Sequence, residues 1–351
     1  MVDHHYSDHN SFLDVQLRML RENNKNFRSL TLHLDKMETE FSQQLAHWRE
    51  SIFSFQVKWW SEIILSNETV ETVTIDMSLA DSTIWKKDQI RMMLEAIASL
   101  PRLRQLVIRQ NNLGQPRRLQ SIEAMTGALR NCCFTTIESL EVWGNEIAMD
   151  SDHSLQKLVW TLQSCRALTN LKFMGFALNP EQVALLTPLI SLPSLREFGL
   201  GNSSNGFLPI AEEIARNSNL EKLTLSFMDH ITDSFCLALA TALRCNTNLQ
   251  ALSLLNASPL HNNISGISNE SQGFFLRVMM QYNMTLRAFK TRGQVSKEML
   301  LYLKLNQAGR RQLFGNYGVT RELWVDKVAS SKEDIDCTFY FLTMNPSICV
   351  T

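Results

Sequence analysis

Nine stretches of this chain repeat one pattern: an apolar residue, two variable residues, a second apolar residue, one variable residue and a third apolar residue. The copies begin at Phe27, Val70, Leu103, Ile137, Leu168, Leu195, Leu220, Leu249 and Leu286, with spacings of 43, 33, 34, 31, 27, 25, 29 and 37 residues. Each copy has an apolar side too small to bury itself, so the units must stack, and each contacts only its neighbours. This regularity constrains the fold more than any single residue does.

Within a copy the first, fourth and sixth positions are apolar, as in Leu103, Leu106 and Ile108 or Leu220, Leu223 and Leu225; the last copy, Leu286, Phe289 and Thr291, is degraded at the sixth, as expected of a terminal unit. Alternation over so short a span marks a strand with one buried face. Between strands the period becomes helical, as in Met92, Met93, Ile97 and Leu100, in Leu155, Leu158, Leu162 and Cys165, and in Phe235, Leu237, Leu239 and Leu243. The expected fold is an α/β solenoid with strands near 27–33, 70–76, 103–109, 137–143, 168–174, 195–201, 220–226, 249–255 and 286–291. A helix is wider than a strand, so the stack should bend into a horseshoe, with parallel strands on the concave face and helices on the convex one.

The stretch LRQLVIRQNNL at 103–113, with helix-sized gaps and a period near thirty, resembles the leucine-rich repeats of the ribonuclease-inhibitor type over roughly residues 10 to 300. The asparagine that follows the strand in that family is matched only by Asn111 and Asn145. Asp35, Ser78, Phe176, Ser203, Met228 and Ala257 stand there elsewhere, so the turn hydrogen bonds should differ between units. The end of the chain, LYLKLNQAGRRQLF at 301–314, RELWVDKV at 321–328 and DCTFYFLTMNPSICV at 336–350, resembles the C-terminal helical segment of uncharacterised leucine-rich-repeat proteins of single-celled algae such as diatoms.

The expected organisation is a disordered tail over 1–10, a solenoid over 11–300 and a helical cap over 301–351. In the cap, Leu301, Leu303, Leu313, Trp324, Val328, Phe339 and Phe341 are expected to hide the last apolar layer. The first unit carries a long stripe from Met37 through Phe41, Leu45, Trp48, Ile52, Phe55 and Trp59 to Ile63, read as an N-terminal cap or a docking helix.

A formal net charge of -1 with 20% charged residues argues against nucleic acid or an anionic membrane as partner. No secretory signal and no run of eighteen apolar residues is present, and the seven cysteines are irregularly spaced, so a reduced, cytoplasmic protein is expected. Six Asn-x-Ser/Thr sequons, at Asn67, Asn202, Asn256, Asn263, Asn269 and Asn283, barely exceed the chance number of about four or five.

Chemistry is sparse. GLGNSSNG at 199–206 has Ser204 where a dinucleotide loop needs glycine, and no GxxxxGK[ST] occurs. His4, His5 and His9 lie in a polar tail, and the other histidines lack a nucleophile at a suitable spacing. Neither a cofactor nor a metal nor catalysis is expected.

The informative residues are those that alternate away from the core. The seventh-position column reads His33, Asp76, Arg109, Trp143, Met174, Gly201, Ser226, Leu255 and Arg292, and the fifth reads Thr31, Thr74, Val107, Glu141, Lys172, Gly199, Thr224, Ser253 and Lys290. Neighbouring strands are about 4.8 Å apart, which sets Arg109 against Trp143, Trp143 against Met174 and Glu141 against Lys172. An exposed aromatic beside arginine, methionine and an ion pair has the composition of a protein-binding hot spot. Gly199 and Gly201 should leave a shallow hollow beside it, with Phe227 closing the rim. Turn-rich loops at 114–118, 201–206 and 257–273 add a rim on which solenoids often bind.

The expected function is therefore a non-enzymatic protein-interaction scaffold, monomeric, whose protein partner the residues do not identify. Two other readings compete: a regulatory factor resembling repeat-built GTPase activators, and a ubiquitin-ligase substrate receptor.

Overall fold

The computed structural model describes residues 18–33, 58, 61–76, 87–110, 126, 136–148, 152–203, 206–227, 231–256, 267–314 and 319–349. The expectations for the 1–10 tail, for the stripe over 37–57 and for the loops at 114–118 and 257–266 lie outside these residues. The chain divides into two compact units, 1–171 and 172–351, with the division inside the fifth strand.

In the first unit, β1 (Ser29–His33), β2 (Thr72–Asp76), β3 (Gln105–Gln110) and β4 (Ser139–Ala148) pair in parallel and in sequence order. Helix α1 (Lys87–Ala98) precedes β3, and α2 (Asp152–Gln163) follows β4 and leads to β5 (Asn170–Ala177). Leu30, Leu32, Val73, Ile75, Leu106, Ile108, Leu140 and Val142 point to one side and are buried, together with Met93, Ile97, Leu155, Leu158 and Leu162 of the helices. Burying such a side chain contributes roughly 1.5–3 kcal/mol.

The second unit repeats the scheme: α3 (Pro180–Leu186), β6 (Glu197–Ser203), α4 (Leu208–Arg216), β7 (Lys222–Phe227), α5 (Asp233–Cys245), β8 (Ala251–Asn256), α6 (Asn269–Gln281) and β9 (Ala288–Thr291). Strands β6 to β9 again pair in parallel and in order, and α4, α5 and α6 pack side by side. The helices start where the sequence supplies caps. Thr232 accepts from the Phe235 N–H at 3.3 Å and Ser268 from that of Ser271 at 3.0 Å. Asn179 and Gln182 form a reciprocal capping box.

Each strand begins two residues later than the template. The first template residue is buried in the turn in every copy but the first, where Phe27 is half-buried. The carbonyl of the second receives two N–H groups from the next repeat: Glu71 and Thr72 both donate to Arg28, and Glu138 and Ser139 to Arg104. Second-position side chains carry opposite charges in several pairs of successive repeats, the column being interrupted by Thr169 and Gln250. Arg28 meets Glu71 at 3.5 Å, Arg104 meets Glu138 at 3.5 Å and Arg196 meets Glu221 at 3.7 Å.

A regular asparagine exists, but before the strand rather than after it. Three residues ahead of the first apolar position, Asn67, Asn217, Asn246 and Asn283 are buried. Each Oδ1 accepts the N–H of that apolar residue, at 3.0 Å from Val70, 2.7 Å from Leu220, 2.8 Å from Leu249 and 2.9 Å from Leu286. Each Nδ2 donates back to a carbonyl of the preceding repeat. Where the position holds Leu100, Cys165 or Leu192, the same N–H bonds to that residue's own carbonyl instead. The hydrogen bonds of the helix-to-strand turn therefore differ between units. Most of the after-strand positions for which a difference was expected, Asp35, Ser78, Asn111, Met228 and Ala257, lie outside the described residues. Asn67 and Asn283 are also sequon asparagines, and their amides are consumed by this ladder.

The second unit closes with α7 (Lys297–Gln307), α8 (Arg310–Phe314), α9 (Arg321–Ser330) and α10 (Ile335–Met344). Leu305, Leu313, Trp324, Cys337 and Phe341 form their core. Asn306 extends the ladder by donating to the Leu286 carbonyl at 2.7 Å, and Gln307 donates to that of Arg287 at 2.7 Å. Buried Arg310 donates to the carbonyls of Met279 and Asn283, with its guanidinium 4.8 Å from the Tyr302 ring centre. Phe339, expected inside this cap, is 68% exposed: Cys337 and Phe341 occupy the inner face of α10, and Phe339 falls on the other side. Among the described residues no helix is long and apolar enough to cross a membrane.

Candidate functional site

The face of the sheet away from the helices carries the fifth and seventh columns. In the first unit the register sets Asp76 opposite Arg109 and Arg109 opposite Trp143. Arg109 is exposed, and Trp143 is 37% exposed. The Trp143 Nε1–H donates to Glu141 Oε2 at 3.1 Å, while Asn170 Nδ2 donates to Glu141 Oε1 at 2.8 Å and to Ser139 Oγ at 2.9 Å. Glu141 is therefore a clamp: one oxygen fixes the indole and the other is fixed by Asn170. With its N–H satisfied, Trp143 presents mainly apolar ring surface. Val107, across from Glu141, is buried although it alternates to this face.

In the second unit Lys172 Nζ lies 2.9 Å from Glu197 Oε1, and Lys222 Nζ lies 3.8 Å from Glu197 Oε2. Met174 is 8% exposed, not an open contact, because the missing side chains of Gly199 and Gly201 let it and Lys172 lie flat on the sheet. A Cβ at Gly199 would stand 2.9 Å from Lys172 Cγ, and one at Gly201 would stand 3.1 Å from Met174 Cε. The expected hollow is thus filled. Phe227 is 3% exposed and closes no rim: its ring packs 4.6 Å from that of Phe207 and 5.5 Å from that of Phe235, edge to face. Glu141 and Lys172, expected as neighbours, belong to different units; the bonds named above are those each makes within its own.

Asn170 and Glu197 escaped the sequence reading because it weighed only the fifth and seventh columns. Both occupy the third position, which alternates to the same face, and that period-two signal could have found them.

Little else here resembles reactive chemistry. Burial pushes the Cys165, Cys236 and Cys337 thiols up to about 11, and a thiolate is the reactive form. The hydroxyls of Ser268 and Ser271 hold the Asp233 carboxyl below its ordinary range, joining the N-terminal turns of α5 and α6. Gly199 and Gly201 lie in β6 rather than in a phosphate-binding loop. Among the described residues no group of three or more His, Cys, Asp or Glu side chains could hold a metal ion.

These features define the class: a leucine-rich-repeat-like α/β solenoid, built from parallel strands in sequence order and backed by helices. No protein-family model and no curated protein matches the sequence. A solved structure of a tropomodulin C-terminal domain from Caenorhabditis elegans is similar to 77% of this chain and 93% of that one, at 12% identity and a TM-score of 0.23. The class assignment rests on the chain's own repeat geometry.

Proposed function

We propose that this chain is a cytoplasmic, non-enzymatic protein-interaction module of the ribonuclease-inhibitor type, which binds a protein partner through the open sheet face. In the first unit the contact residues are Arg109, Glu141 and Trp143. In the second, Lys172 offers the polar contact, with Met174 and Phe227 supporting that face from beneath. The observation that carries the reading is Trp143: a large aromatic left 37% exposed on a rigid strand, with its only polar atom already bonded to Glu141. Tryptophan and arginine are residue types that dominate binding energy, and the indole is held by Glu141 before any contact, which lowers the ordering cost of binding. The cytoplasmic part is supported by Asn67 and Asn283, whose sequon amides are buried in the ladder.

Site-specific photocrosslinking in the source cell tests this. A photoreactive residue in place of Arg109 should capture one protein reproducibly, and the same residue in place of Trp160, exposed on α2, should not. Equal capture from both positions would contradict the assignment.

A further inference from the structure

A second feature of the first unit lies at the strand-entry turns. We propose that Lys25, Arg28 and Arg102 form a binding site for a phosphate group, either free or carried on a small molecule. Together with Asn23, Glu68 and Thr69 they line a cavity of about 310 Å³, near the lower end of the roughly 300–1,000 Å³ typical of small-ligand sites.

Three successive turns supply the wall: Asn23, Lys25 and Arg28 before β1, Glu68 and Thr69 before β2, and Arg102 before β3. The first two turns are stapled together. Asn23 Nδ2 donates to the Ser66 carbonyl at 3.2 Å, the Glu68 N–H donates to Asn23 Oδ1 at 2.9 Å, and Thr69 Oγ1 donates to the Phe27 carbonyl at 3.1 Å. The ladder amide of Asn67 adds a bond to the Leu20 carbonyl at 3.0 Å. Asn23 itself holds φ at 46°, a left-handed conformation that asparagine tolerates better than most residues. These turns are fixed before any ligand arrives.

The lining carries three cations against one carboxylate, Glu68, in a chain whose overall charge is -1. Arg28 reaches Glu71 at 3.5 Å with its side chain 69% exposed, a loose pair that a doubly charged oxyanion can displace. Two guanidinium forks and an ammonium supply the charge and the kind of N–H donors that phosphate oxygens accept.

Isothermal titration calorimetry of the full chain in chloride buffer, with inorganic phosphate and with O-phosphoserine, tests the site. The expected result is saturable one-site binding, weakened at least about fivefold by Arg102→Gln and by Lys25→Gln and tightened severalfold by Glu68→Gln. Arg196→Gln, at the strand entry of β6, should leave it unchanged. Phosphoserine binding more tightly identifies a phosphate monoester as ligand, and equal affinities identify free phosphate; both uphold the site. No saturable heat with either probe, or equal weakening by Arg196→Gln and Arg102→Gln, would overturn it.

Discussion

Asn283 and Asn246 are joined through one amide: Asn283 Nδ2 donates to the Asn246 main-chain carbonyl at 3.0 Å, as Asn246 Nδ2 does to that of Asn217 at 2.8 Å. Each link spans the turns of adjacent repeats, where a buried carbonyl would otherwise lack a partner. The ladder is how this solenoid satisfies turns that its strands and helices leave open.

Asn246→Ala should therefore be costly. It strands the N–H groups of Asn248 and Leu249 and the carbonyls of Ile214 and Asn217. Leaving such groups unpaired costs about 1–3 kcal/mol each when fully buried, and some will reach water, so a net loss of about 3 kcal/mol is expected in urea unfolding. A loss below about 1 kcal/mol would mean that the ladder is incidental.

Two glycines should respond in opposite directions to alanine. A Cβ at Gly206 would lie 2.7 Å from the backbone Cα of Pro180, which cannot swing aside, so Gly206→Ala should destabilise by about 1–3 kcal/mol. Gly273, inside α6, has no atom within 4 Å of an added Cβ, so Gly273→Ala should stabilise by about 0.5–1 kcal/mol through helix propensity. Thermal melts of the two variants check both signs.

The buried thiols give a pH signature. Cys165, Cys236 and Cys337 are raised from 9.0 to about 11 by burial, so the folded state resists their ionisation. Their contribution to stability is fully present below pH 9 and is lost as the pH climbs toward 11. Iodoacetamide near neutrality, followed by peptide mapping, should modify exposed Cys245 and Cys349 and spare these three. Rapid modification of Cys165 in the folded protein would contradict its placement.

Much of the fold was legible because strand alternation and helical period are properties of sequence alone. Leu223 with Leu225, and Leu155 with Leu158, appear where their spacing puts them. Burial depth was less legible. Alternation assigns Met174 to the open face, but only the neighbouring Gly199 and Gly201 explain why its side chain lies flat and covered. Phe227 follows the strand's last alternating position, where an aromatic can turn into the cluster of Phe207 and Phe235. The ladder was hidden because its asparagine is absent from several repeats, and two copies read instead as sequons. At the site, Trp143 and Arg109 were visible as a column, while the Asn170–Glu141–Trp143 chain of hydrogen bonds required the register.

The most direct test of the interaction account is the affinity of the partner captured at position 109 for three purified chains: the unaltered protein, Trp143→Ala and Trp160→Ala. The account predicts that Trp143→Ala weakens binding by about 2 kcal/mol or more with an unchanged melting midpoint, and that Trp160→Ala binds like the unaltered chain. Undiminished binding by Trp143→Ala, or equal losses in both variants, would contradict it.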